Sequence, residues 1–223
     1  RDQPRSRGLG DVYKRQRQVV NCIDNAVLSL HEPYASSASE MVAEVIQYFG
    51  YEQLSSYYAD AMLAGIMLDT KDFVMKTGVR TFEAAAYLKK LGADTVAVKR
   101  LFAISIETGI KRSQLVETAE IYNRCAIAAS EDSSDGIRIA TSQAADELLG
   151  IQGVDASFVI YAAGTGANIS ARSFGIMNVQ IIMEHLGGGG HQTMAAAQLK
   201  DISVSDAKKQ LMAAIDEYIR SIS

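Results

Sequence analysis

NVQIIMEHLGGGGHQTMAAAQL, residues 178–199, is the stretch that decides how the second half of the chain folds. Asn178 can accept a hydrogen bond from the free N–H groups of a first helical turn, and apolar residues then recur at helical spacing as far as Leu186. Four consecutive glycines must end this helix. The small apolar residues 194–197 that follow predict a return to a sheet.

The glycine run, residues 187–190, is longer than the end of a helix requires, because one residue with positive φ is enough. Each further glycine costs backbone entropy. Two interpretations stay open on composition alone. The run is a tight connecting loop, or it is a cradle in which main-chain N–H groups converge on an anion with no Cβ in the way. His191 follows immediately and can supply a hydrogen bond or a charge near neutral pH.

Length and charge limit the classes of function. A chain of 223 residues suits one large domain or two of about 100 residues each. The net charge of −4 argues against non-specific binding of duplex nucleic acid, which needs a basic surface. Because no apolar run reaches about 18 residues, no membrane-spanning helix is predicted. Cys22 and Cys125 are too few for a disulfide framework or a zinc site, which favours a reducing compartment.

The first half of the sequence predicts a mostly helical region. Residues 1–16 show no helical or strand period, and we interpret them as a non-native or disordered leader. Residues 27–30 (VLSL) predict a short strand. Ser36 or Ser37 can cap a helix with Glu40 in a capping box, although the two serines could instead contribute hydroxyls to a site. The predicted buried face of that helix is Met41, Val42, Val45 and Ile46.

Further helices are predicted at residues 57–69, 77–92, 93–104 and 111–122. The first of them is apolar nearly all the way round after Asp60, which is typical of a buried helix. It carries Asp69 at its C-terminal end, where the helix macrodipole disfavours a carboxylate and a cation is expected nearby. Lys71 could be that cation, and so could a divalent metal, for which a carboxylate is a suitable ligand. Thr70 and Asp72 are interpreted as local caps.

After residue 122 the pattern changes from helical to β-type, which predicts a domain boundary there. A helix is predicted at residues 142–150, and Gly164 to Gly166 (GTG) predicts a hairpin turn. Short strands are predicted at residues 125–130 (CAIAAS), 137–140 (IRIA), 156–163 (ASFVIYAA) and 168–173 (NISARS).

Arg172 stands out in the last of these strands. Its guanidinium can bind phosphate through two hydrogen bonds in one plane. An isolated arginine on a strand is also common as a solvated edge residue. Ser170, Ser173, the glycine run and His191 all lie within about twenty residues of it, which favours the phosphate interpretation.

Six short motifs occur along the chain: EPYASSASE (32–40), GIMLDTKDF (65–73), ISARS (169–173), NVQIIM (178–183), GGGGH (187–191) and IDEYI (215–219). Together they resemble the DHH/DHHA1 phosphodiesterase family. Their sequences are closest to the catalytic region of the GdpP-type cyclic-di-AMP phosphodiesterases, and the resemblance extends from about Arg17 to the C-terminus.

The resemblance implies an α/β protein, with the C-terminal, mostly helical part of a DHH domain at residues 17–122. A DHHA1 α+β domain with a mixed sheet would follow at residues 123–223. It implies a site with two Mn²⁺ ions, to which Asp69 contributes as a metal ligand. It also implies a cyclic dinucleotide or short oligonucleotide as substrate, with a homodimer left open. The implied substrate-binding residues are Arg172, Ser173, Gly188, Gly189, Gly190 and His191.

One departure from the family pattern affects the expected activity. The family's Asp-His-x-Asp-x-Asp and Asp-His-His motifs supply most metal ligands, and neither occurs in this sequence. Arg17 resembles the position just after Asp-His-His, so we expect that residues 1–16 replace native sequence and that no complete catalytic set is present. The resemblance implies a cytoplasmic fragment of a membrane-anchored parent that converts cyclic-di-AMP into 5′-pApA. The alternatives are an oligoribonuclease or phosphoadenosine phosphate phosphatase relative, and a non-catalytic nucleotide-binding module.

Overall fold

The computed structural model describes residues 30–50 and 54–222. The chain divides into two compact units, Arg1–Ala103 and Ile104–Ser223. The predicted leader at residues 1–16, Cys22 and all but Leu30 of the predicted strand at residues 27–30 lie outside the described residues.

The first unit is helical in its described part. Its helices are α1 (Ala38–Tyr48), α2 (Ser56–Thr70), α3 (Val79–Lys90) and α4 (Thr95–Leu101). They enclose a small core of Ala43, Ala59, Leu63, Ile66, Ala84, Leu88, Ala93 and Val98.

Ser37 caps helix α1 as predicted, since its hydroxyl accepts a hydrogen bond from the Glu40 N–H at 3.1 Å. The other half of the predicted capping box differs, because the Glu40 carboxylate accepts from the Ser36 N–H at 3.2 Å. The Glu40 carboxylate is buried and accepts hydrogen bonds from the hydroxyls of Ser36 and Thr81. Both serines therefore have structural partners. The predicted buried face is wrong at Val42, which is 48% exposed, because the helix turns the small Ala43 toward α2 and α3 instead.

Helix α2 is buried along one stripe only, contrary to the prediction of a helix buried on all sides. Ala59, Leu63, Ile66 and Thr70 form that stripe, whereas Leu68 is 57% exposed. The sequence pattern could not show this, because a helix that is apolar all round does not identify which side finds a partner.

The second unit is built on a mixed six-stranded sheet, so the predicted fold class is confirmed. The strand order is β1-β2-β3-β4-β6-β5, with β2 parallel to β3 and every other neighbouring pair antiparallel. Its elements are α5 (Ile106–Glu117), β1 (Glu120–Tyr122), β2 (Cys125–Ser130), α6 (Ile137–Leu148), β3 (Ala156–Ala163), β4 (Gly166–Ser173), α7 (Val179–His185), β5 (Gly189–His191), β6 (Met194–Leu199) and α8 (Val204–Ile222).

The two faces of the sheet are covered to different extents. On one face, α7 and α8 pack over β2, β3, β4 and β6 around Phe158, Ile160 and Ile169. On the other face, α5 and α6 cover β2 and β3, with Val159 and Tyr161 beneath them. Met194 of β6 is 42% exposed on that second face. The half formed by β4, β6 and β5 is therefore open beside α6.

Two predictions for this unit are wrong. The run IRIA, predicted as a strand, is the first turn of α6. Its Ile137 and Ala140 belong to one apolar helical stripe with Ala144, Ala145 and Leu148, and burial of this stripe overrides the strand-like pattern. The predicted helix at residues 111–122 ends at Glu117, and Tyr122 lies in β1 instead. Helix α5 packs against α6, so the boundary at residue 122 stays a prediction.

No helix in the described ranges is long and apolar enough to cross a membrane. Cys125, at the start of β2, is fully buried, and burial raises the pKa of its thiol to about 12. The thiol is therefore protonated at neutral pH, as expected for a structural cysteine.

Candidate nucleotide-binding cleft

The open half of the sheet carries a cleft of about 410 Å³, a size within the usual range of small-ligand sites. Side chains alternate along β4, so Asn168, Ser170 and Arg172 share the face that opens into this cleft. Helix α6 forms one wall, and β6 and β5 continue the floor.

Arg172 is fixed rather than freely solvated. Strand β4 lies inside the sheet between β3 and β6, and Arg172 is only 8% exposed, which excludes the interpretation as a solvated edge residue. Its Nε donates to Asp146 Oδ1 at 3.1 Å, and its Nη1 donates to the Ala171 carbonyl at 3.0 Å. Nη2 makes no hydrogen bond to a described residue and remains available to a ligand in the cleft.

The four glycines occupy positions that favour glycine for different structural reasons. Gly187 has φ +74° and ends the helical segment, as a left-handed residue does. A Cβ on Gly188 would lie 2.2 Å from the Ala196 carbonyl oxygen, and one on Gly190 would lie 2.5 Å from Ala195 Cα. A Cβ on Gly189 would meet no atom within 4 Å. Gly188 and Gly190 therefore permit close strand packing, while Gly189 leaves space above the floor.

The β-ladder places the predicted residues in rows across the floor. His191 is paired with Met194, and Met194 is paired with Arg172. Because adjacent strands are about 4.8 Å apart, His191 and Arg172 lie about 10 Å from each other. The next row on the same face, Gly189, Ala196 and Ser170, carries only small side chains. A flat group can lie on this row, with Arg172 and His191 at the two ends of the neighbouring row.

Several cleft residues were missed by the sequence analysis. Arg138 and Ser142 line the cleft from α6, one helical turn apart. Arg138 was missed because IRIA was interpreted as a strand. The signal that could have revealed it was the helical spacing of the apolar residues from Ile137 to Leu148. Tyr161 and Asn168 form a cross-strand pair in which the amide donates to the phenol oxygen at 3.0 Å.

Ser173 is separated from the other predicted site residues. Adjacent strand residues point to opposite faces, so Ser173 lies on the face opposite Arg172. It is 1% exposed, and its hydroxyl accepts a hydrogen bond from the Gly175 N–H at 2.9 Å. Gly188 likewise does not line the cleft. The structure thus brings together Arg172, Gly189, Gly190 and His191, and leaves Ser173 and Gly188 outside the cleft.

Asp69 is exposed at the end of α2, immediately before an unusual turn. Lys71, Asp72 and Phe73 all have positive φ (50°, 55° and 64°). Such conformations cost about 1–2 kcal/mol per non-glycine residue, and they persist where surrounding contacts impose them. The Thr70 hydroxyl accepts from the Phe73 N–H at 3.0 Å, which confirms Thr70 as a local cap.

The residues around Asp69 do not assemble a two-metal site within the described part of the chain. No group of three or more histidine, cysteine, aspartate or glutamate side chains is positioned there to hold a metal ion. Asp69 itself forms no ion pair with a described residue. A two-metal centre needs several such ligands around ions about 3.5–4 Å apart, so the described residues do not fit one.

Comparison with known proteins identifies the second unit. Residues 122–221 match the DHHA1 domain family. The chain is 46% identical over 210 residues to the cyclic-di-AMP phosphodiesterase PdeA of Listeria monocytogenes. It is 47% identical over 210 residues to the cyclic-di-AMP phosphodiesterase GdpP of Geobacillus thermodenitrificans. Each alignment covers 93% of this chain and 32% of the relative, so the chain spans about a third of these proteins.

A solved structure shares the fold. The chain superposes with a TM-score of 0.78 on an exopolyphosphatase-related protein from Bacteroides fragilis. That alignment covers 89% of this chain and 62% of the other, at 21% sequence identity. This likeness supports the arrangement of the elements.

Proposed function

Because the chain belongs to the DHH/DHHA1 phosphodiesterase family, we propose that it is the nucleotide-binding part of an enzyme that hydrolyses cyclic-di-AMP to 5′-pApA. One observation carries the proposal. The half of the sheet that α5 and α6 leave uncovered holds a buried arginine, a row of small residues and a histidine within one cleft. These are the groups that a phosphate and a flat base require.

Three parts of the cleft bind the nucleotide in this proposal. The free Nη2 of Arg172 donates to a phosphate oxygen, and Asp146 holds the guanidinium in place through Nε. The base lies on the floor at Gly189, Ala196 and Ser170. His191, about 10 Å away across the strands, hydrogen-bonds the opposite side of the nucleotide.

The proposal assigns binding to this chain and hydrolysis to a metal centre that its described residues do not complete. Two Mn²⁺ ions would supply an activated water and neutralise charge on the phosphodiester in the intact enzyme. Asp69 is the residue of this chain that we propose as one of their ligands. The 223-residue chain should therefore bind nucleotide without turning it over.

Direct binding tests the cleft. Titration calorimetry of the chain with cyclic-di-AMP, in the presence of a chelator, should give saturable binding. Arg172→Ala should weaken it by about 1.5–3 kcal/mol, because a hydrogen bond to a charged group is lost. Arg220→Ala removes the same charge from α8, on the opposite face of the sheet, and should leave the affinity unchanged. Equal affinity of the wild-type chain and Arg172→Ala would remove Arg172 from the site.

Chromatography of reaction products tests the assignment of catalysis. Cyclic-di-AMP, a short oligoribonucleotide and phosphoadenosine phosphate are each incubated with the chain and Mn²⁺, with parallel reactions in chelator. We expect no product from any of them. Metal-dependent 5′-pApA would contradict the incomplete metal set, and metal-dependent cleavage of only the other two substrates would change the proposed substrate class.

A further inference from the structure

A second arginine lines the cleft beside Arg172. Arg138 lies in the first turn of α6, one residue after Ile137. Its side chain is exposed and forms no hydrogen bond or ion pair with a described residue. A cation at the N-terminus of a helix is repelled by the macrodipole, so this position does not stabilise α6. Arg138 nevertheless lines the same cleft as Arg172.

The two arginines serve different ends of the cleft. Arg172 is bound to Asp146, which lies eight residues beyond Arg138 on the same helix. Eight residues correspond to about 12 Å along a helix axis, with Ser142 midway. The two arginines therefore present cationic groups at different positions along the wall of the cleft, and a ligand with two anionic groups can reach both.

Charge also favours an anionic group beside Arg138. The ion pair between Arg172 and Asp146, with 3.1 Å between Nε and Oδ1, has no net charge. One phosphate on this pair leaves an excess of negative charge. The guanidinium of Arg138, which forms no ion pair with a described residue, is a group in the cleft wall that can balance further phosphate charge.

We infer that Arg138 binds the second phosphate of a nucleotide whose first phosphate lies at Arg172. The inference rests on the proposed function, since it presupposes that nucleotides occupy this cleft. Arg138 would then be a specificity-determining residue, which separates a dinucleotide from a mononucleotide that ends in one phosphate.

A ligand-by-variant comparison tests this inference. The affinities of adenosine 3′,5′-bisphosphate and of 5′-AMP are measured by calorimetry for the wild-type chain, Arg138→Gln and the control Arg220→Gln. The wild type should bind the bisphosphate more tightly than 5′-AMP. Arg138→Gln should weaken bisphosphate binding about tenfold or more and change 5′-AMP binding by less than about twofold, while Arg220→Gln changes neither.

The outcomes separate the two levels of the proposal. Absence of binding of either nucleotide to the wild-type chain would overturn the proposed function itself. Equal weakening of both ligands by Arg138→Gln would show that Arg138 acts on the first phosphate or on general charge, and no change would remove it from the site. A lower melting temperature of Arg138→Gln with unchanged affinities would instead assign it to pairing with the acidic loop at residues 131–135.

Discussion

At the residue scale, the four glycines show that one sequence feature can have several physical causes. Gly187 ends a helix, Gly188 and Gly190 allow a close approach of strand β6, and Gly189 keeps the cleft floor clear. On composition alone, a connecting loop and an anion cradle both stay open. Gly187 forms part of the connection and Gly189–His191 form strand β5 at the edge of the cleft, while the anion cradle stays a prediction.

Substitution of two adjacent glycines separates folding from binding. Gly188→Ala should lower the free energy of unfolding by about 1–3 kcal/mol, since its Cβ would overlap the Ala196 carbonyl oxygen. Gly189→Ala should change it by no more than about 0.5 kcal/mol, but its methyl group enters the cleft and should weaken nucleotide binding. Chemical denaturation and calorimetry on both variants check this. A Gly189→Ala variant with normal affinity would contradict the proposed position of the base.

At the scale of elements, the sequence predicted the buried strands well and the short or edge elements poorly. Strands β2 and β3 were located because the runs CAIAAS and ASFVIYAA are mostly apolar, and β4 was located because polar and apolar residues alternate in NISARS. Strands β1 and β5 have three residues each, too few for a period to be visible. Of the predicted substrate-binding residues, Arg172, Gly189, Gly190 and His191 line the cleft. Arg138 could be recognised as a cleft residue only from the correct start of α6, which tertiary packing determines.

The starts of the parallel strands β2 and β3 are joined by an ion pair that should make stability depend on pH. Arg124 donates from Nε and Nη2 to the Asp155 carboxylate at 2.5 Å and 2.8 Å. These hydrogen bonds lower the pKa of Asp155 below its ordinary value of 3.8. A lowered pKa in the folded state stabilises the fold above pH 3.8, and this contribution is lost as the pH falls through the folded-state value.

Asp155→Asn should therefore unfold at lower denaturant concentration than the wild type at pH 7, and the difference should shrink below about pH 4. Glu217→Gln is the matched control, because Glu217 is exposed on α8 and has no ion pair with a described residue. Its unfolding free energy should follow that of the wild type at both pH values. A difference between Asp155→Asn and the wild type that stays constant down to pH 3 would show that the carboxylate is not held by Arg124.

At the scale of the whole molecule, each unit has a hydrophobic core of its own, and the cleft belongs to one of them. Every residue that lines it, from Arg138 to Gln198, lies in the unit Ile104–Ser223. Asp69, the proposed metal ligand, lies in the other unit. Nucleotide binding and metal binding are therefore assigned to different parts of the chain.

This division predicts how a ligand changes thermal unfolding. A nucleotide that binds only the folded cleft, at 100 times its dissociation constant, should stabilise the unit Ile104–Ser223 by about 2.7 kcal/mol. Scanning calorimetry with adenosine 3′,5′-bisphosphate should raise the temperature of the transition assigned to that unit, and the same unit expressed alone identifies this transition. Arg172→Ala should show no shift at the same ligand concentration. A ligand that raised only the other transition would place the nucleotide site in Arg1–Ala103, because mass action stabilises the unit that holds the ligand.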